Sequence, residues 1–214
     1  MSKNCHDWGI GEDRGPARSM FYLSAARTPD PRPQVKSRIW IRSVYCVAVC
    51  AAVILTFYVS LIASSNGLSI EEKHIVRKAI NTIQNSGFSS EAAILKNLAV
   101  FRSDDNWFNA TVPKENAFAA TNFPFQIVTL YPDFFAYSRD DVERAAILLH
   151  EARHLLGDNE AQAYEYVWRN RERLGWGSER YSTSPVWRNV RNQTREYAPH
   201  LFNCPGKEYY DCTE

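Results

Sequence analysis

The chain has 214 residues, 45% of them hydrophobic, and a formal net charge of +1. That length suits one ordinary domain with attachments. The balance of charge speaks against a nucleic-acid partner, because residues 64 to 214 hold 17 Lys or Arg against 20 Asp or Glu, with no basic block to follow a phosphate backbone. No nucleotide-binding loop is present either.

Residues 1 to 37 contain Gly9, Gly11, Gly15, Pro16, Pro29, Pro31 and Pro33 with little periodicity, and are expected to form a disordered tail. A membrane anchor is expected over residues 38 to 65. Its centre, Ser43 to Ala63, is 21 residues without a charge. As a helix this run is roughly 30 Å long, the thickness of a bilayer core. A cleaved signal peptide, with small residues at Ala63 and Ser65, is the alternative, although the 42 residues ahead of the run are long for one. Arg27, Arg32, Lys36, Arg38 and Arg42 precede the span, whereas Glu71 and Glu72 offset Lys73, Arg77 and Lys78 after it. This bias places the N-terminus in the cytoplasm and the C-terminal part in the periplasm or outside the cell. Ala51 and Ala52 are small enough for such helices to pair, so oligomeric state stays open.

Residues 66 to 214 read as an α+β domain, mainly helical with a small sheet. Ser69 and Glu72 form a capping-box pattern that opens a helix with Ile75, Ala79 and Ile83 on its apolar stripe, and Gly87 ends it. SSEAAILKNLAVF predicts a second helix, with AVF able to begin a strand. Residues 102 to 125 look irregular. Phe125 to Tyr131 predicts a strand stopped by Pro132, either a plain structural strand or one with a free edge for an extended peptide. Ser138, with Asp141 three residues on, is the expected cap of a helix that leaves at Gly157. Asp158 or Asn159 then caps a helix reaching about Leu174, and the remainder is expected to be mostly irregular and packed back on the domain.

The chemistry lies in LLHEARHLLGDNEAQAYEYV, Leu148 to Val167. On a helix, positions i and i+4 lie above one another, so His150 and His154 direct their rings to one point and make a good pair for Zn²⁺. Glu151 points roughly 100° away around the helix and can reach a water on the ion. A third ligand is expected from the first turn of the next helix after Gly157. Glu160 is best placed, with Glu165 and Asp158 as alternatives. Arg153 reads as a solvent-facing charge or a partner for the neighbours of Glu160.

HEARH at 150 to 154 resembles the active-site helix of zincin metallopeptidases. Extended to HEARHLLGDNE it is similar to the metzincin signature, with Glu160 at the third-ligand position; NEAQAY resembles the glutamate helix of gluzincins. The chain departs from metzincins in having no Met-turn, since its only methionines are Met1 and Met20. The resemblance covers about 20 residues directly, and about 45 with the strand and both helices. It implies a zincin-like fold, one zinc ion on His150, His154 and Glu160, and Glu151 as general base.

The expected function is therefore a membrane-anchored zinc peptidase, its partners being a peptide or protein substrate and the lipid bilayer. A non-catalytic zincin-like binding module and a zinc amidase acting on cell-wall peptides are the rival readings. Oxyanion donors are sought in the tail, at His200, Tyr181, Tyr197, Tyr209 and Tyr210. Tyr164, one turn beyond Glu160, is expected behind the ligands or in the core. His74 reads as surface, and Trp107, Trp168, Trp176 and Trp187 read as packing. NAT at 109 to 111 matches a glycosylation acceptor. A disulfide between Cys204 and Cys212 would close a short loop; two free thiols are the alternative.

Overall fold

The computed structural model describes residues 32–109 and 117–203, with side chains from residue 38 onward. The chain divides into two compact units, Met1–Ala48 and Val49–Glu214. Helix α1, Arg32–Ala63, begins inside the segment expected to be tail. Its stretch Arg38–Ala63 contains an 18-residue window with a mean hydropathy of 2.5, almost entirely unburied, and is long and apolar enough to cross a membrane.

The last turns of α1 belong to the second unit and are held there. Leu61 is fully buried, and the Ser60 and Ser64 hydroxyl oxygens accept bonds from the Trp107 indole and backbone N–H groups, each at 3.2 Å. Asn66 binds the Asp104 carboxylate through both its backbone and its side-chain amide.

Helix α2, Ile70–Asn85, starts with the Ser69/Glu72 capping box and ends before Gly87, whose φ of 86° suits a residue without Cβ. Its buried face is Val76, Ala79, Ile80 and Ile83, rotated slightly from the expected stripe, and His74 is exposed. Helix α3, Ser89–Asn97, leads into strand β1, Val100–Arg102. Strands β2, Ala119–Asn122, and β3, Ile127–Leu130, complete a sheet of order β1-β3-β2. β1 runs parallel to β3 and β2 antiparallel to it. The strand predicted from sequence is therefore the central one: all four residues of β3 are buried and both its edges are paired. Among the described residues β2 stands at one edge of the sheet, beside α5, and it lies in the stretch that looked irregular.

Short helix α4, Pro132–Ala136, turns the chain into α5, Asp141–Leu155. The cap of α5 is Asp140, not Ser138. Asp140 accepts from the Val142 and Glu143 N–H groups at 3.0 and 3.2 Å, and a carboxylate offers the helix dipole a charge that a hydroxyl lacks. Ser138 is buried, its hydroxyl without a partner among the described residues. Gly157, at φ 96°, reverses the chain, and the Asn159/Gln162 capping box starts α6, Glu160–Leu174.

The following segment is more regular than expected. It forms α7, Ser178–Tyr181, and α8, Pro185–Tyr197, the latter opened by Ser184 with Pro185 in its first turn. Helix α5 lies at the centre, against α2, α3, α6 and β2. Trp168, Trp176 and Trp187 are buried with their ring centroids 4.9–6.3 Å apart, so these three indoles are packing residues as expected.

Candidate metal centre

Two helices and one sharp turn bring the three expected ligands together. The Nε2 atoms of His150 and His154 are 3.0 Å apart; Glu160 Oε2 is 3.3 Å from the first and Oε1 3.4 Å from the second. Tetrahedral zinc with ligand bonds of about 2.0–2.2 Å keeps its ligand atoms roughly 3.3–3.5 Å apart. The three side chains form a group able to hold a metal ion, and two imidazoles with a carboxylate are a donor set that zinc accepts.

The rings are fixed from behind. His154 Nδ1 donates to the Asp158 carbonyl at 2.9 Å, which leaves Nε2 free to act as a ligand. His150 has no such bond, and its buried Nδ1 lacks a partner among the described residues. Its ring instead lies 4.2 Å from that of Tyr164, which stacks on Tyr197 at 5.5 Å. Tyr164 thus supports a candidate ligand by ring contact.

Burial alone would depress the His154 pKa. The bond to Glu160 and the charge of Glu151 outweigh it and push the group up to about 9. Glu160 is held far below the ordinary carboxylate range by hydrogen bonds from His150 and His154, against an opposing effect of burial. Burial raises the Tyr164 phenol, and the charges of Glu160 and Glu151 raise it further. The site attracts positive charge.

Glu151 is buried, and its Oε2 accepts a 2.7 Å bond from the hydroxyl of Thr121 on β2. Both histidines, Glu151, Glu160 and the residues of β2 line one cavity of about 480 Å³. Thr121 was not singled out from sequence. Its role depends on β2 lying against α5, a contact between residues 30 positions apart.

No protein-family model, curated protein or solved structure matches the chain.

The other expected residues fall elsewhere. The Glu165 carboxylate accepts from Arg169 at 2.7 Å and lies 3.3 Å from His200, so neither Glu165 nor His200 is among the residues lining the cavity. Asp158 supplies its carbonyl to His154 and its carboxylate to Arg153 at 2.7 Å. Of the two readings of Arg153, the partner for a neighbour of Glu160 is the one seen: partly exposed, it binds Asp158, also reaches Glu91 at 3.3 Å and lies 4.2 Å above the Tyr166 ring, tying α3, α5 and α6 together. The Tyr181 hydroxyl donates to Asp140. Asn109 is buried, its amide donating to Thr129 and its carbonyl accepting from Asn122, so this fold withholds it from glycosylation. Cys204, Cys212, Tyr209 and Tyr210 lie outside the described residues.

Proposed function

We propose that the protein is a zinc-dependent peptidase of zincin-like character, anchored in a membrane by α1, with residues 66–214 outside the cytoplasm. The observation that carries this reading is the convergence of His150, His154 and Glu160 beside a buried Glu151 in a cavity lined by the residues of β2. Zinc held there supplies an acidified water and polarises the substrate carbonyl.

The chain's own residues do the rest. The outer edge of β2 offers backbone N–H and C=O groups to an extended peptide, which aligns its scissile bond along the cavity. Glu151 takes the proton from the attacking water and passes it to the leaving amine. Thr121 restrains one carboxylate oxygen, so that the other faces the proton in transit. The excess of basic residues before the uncharged run Ser43–Ala63 favours a cytoplasmic N-terminus.

The test uses the full chain in detergent, with metal content and hydrolysis of a mixed peptide library read side by side. Glu151→Gln is expected to keep its zinc and lose turnover. Glu160→Ala is expected to weaken zinc binding by more than the roughly 10–100-fold typical of changes behind the ligands, and Glu165→Ala to leave it unaltered. Unchanged turnover in Glu151→Gln would remove the proposed base; a wild-type chain without stoichiometric metal would remove the reading itself.

A further inference from the structure

Two exposed aromatic side chains, Trp107 and Phe108, meet α1 near its end, and Phe108 shares the cavity lining with a third, Phe123. Trp107 is 48% exposed, Phe108 49% and Phe123 59%. Trp107 meets Phe57 of α1 edge-on at 5.4 Å, Phe108 lies 6.4 Å from the same ring, and Phe125 packs on Phe57 at 5.2 Å. Phe57 precedes the end of α1 at Ala63 by six residues, or roughly 9 Å of helix. These contacts therefore lie along the last two turns of α1. A bilayer entered by this helix would have these rings at its surface, the level that tryptophan and other amphipathic aromatics favour. Phe108 and Phe123 also line the cavity, together with Asn109. An amide chain fixes that wall: Asn106 donates to Asn122, Asn122 to Asn109, and Asn109 to Thr129.

We infer that the Trp107–Phe108–Phe123 band docks into the bilayer interface at the C-terminal end of α1. The cavity then opens at headgroup level and receives peptide segments lying next to the membrane. The lipid contact rests on α1 being a span, and the substrate class also rests on the peptidase reading. Continuity with the apolar helix favours lipid over a second protein as the occupant: Trp107 and Phe108 rest on Phe57 of α1 and widen its apolar surface toward the cavity.

The experiment places the full chain in phosphatidylcholine vesicles whose acyl chains carry bromine either near the headgroup or near the chain ends. Phe123→Trp adds a reporter while keeping an aromatic ring. Its added emission is expected to be lost to shallow bromine more than to deep bromine, and to be shielded from aqueous iodide. Emission quenched by iodide but not by bromine would overturn the docking. Emission protected from both would assign the band to a protein partner, and would overturn it equally.

In the same unbrominated vesicles, one cleavable segment is presented as a soluble peptide and as the flank of a transmembrane helix. The anchored form is expected to be cut faster by on the order of 10-fold or more. Phe123→Gln, which keeps α1, is expected to reduce that preference. Equal cleavage of both forms, or a preference unchanged in Phe123→Gln, would overturn the substrate class. Cleavage of neither form would defeat the peptidase reading and the substrate class with it, while the emission result still decides the lipid contact.

Discussion

One imidazole nitrogen of His154 is committed to the Asp158 carbonyl, while the other faces two carboxylates. In the metal-free chain a proton takes the place that the site reserves for a cation. The folded pKa of His154 is raised, so its stabilising contribution is complete below the ordinary value of 6.5 and is lost as pH climbs through about 9. Glu160 is depressed in the folded state; its contribution is present above 4.5 and fades as pH falls below that value. Metal-free protein is therefore expected to resist urea better near pH 6 than at about pH 9.5, and Glu160→Gln to shrink the difference. An equal response in wild type and variant would dissociate the shift from this pair. Thr121 makes a second residue-scale prediction. Thr121→Val is expected to lower kcat roughly 10-fold with KM and zinc content near wild type, and Thr121→Ser to restore it, because only the hydroxyl touches Glu151. A KM effect in place of a kcat effect would point to substrate contact. The pairing of Thr121 with Glu151 was hidden in the sequence, since a threonine among alanines and asparagines carries no sign of the carboxylate it will meet.

Elements with local signals were legible, and elements that depend on distant partners were not. Ser69 with Glu72, Gly157 at the reversal and the i, i+4 histidines each act within one turn of chain, so they appear in the sequence as they do in the fold. Strand β2 has only four residues, and its strand character comes from pairing with β3. Helix α8 was missed for another reason: Ser184–Pro185 is a helix start, but surrounding Trp, Tyr and Arg residues obscured the stripe Val186, Trp187, Val190 and Thr194. The start of α5 depends on tertiary contacts. Asp140 receives Tyr181 and Arg180 as well as the first N–H groups of the helix, so it fastens α7 to α5. Asp140→Ala is expected to cost about 1–2 kcal/mol, and Ser138→Ala much less, as read from urea midpoints. A larger loss at Ser138 would place the cap where the sequence suggested it.

At the scale of the whole molecule, the metal candidate bridges α5 and the first turn of α6, so an ion bound there joins the central helix to its neighbour. Zinc at 100 times its dissociation constant is expected to raise unfolding stability by about 2.7 kcal/mol, and a chelator to remove that gain. A Tm indifferent to both would mean that the triad does not retain zinc. The sequence held the ligand set because all three members fall within eleven residues, from His150 to Glu160. It did not hold the opposite wall, which comes from Phe108, Asn109 and residues 117–123. That wall has a chemical consequence. Four residues of edge strand run for only about 13 Å, and main-chain pairing along them is blind to which side chains the visitor carries. On the proposed peptidase reading, a protein built this way is expected to tolerate many amino-acid sequences and choose among them chiefly by whether a segment can lie extended within reach.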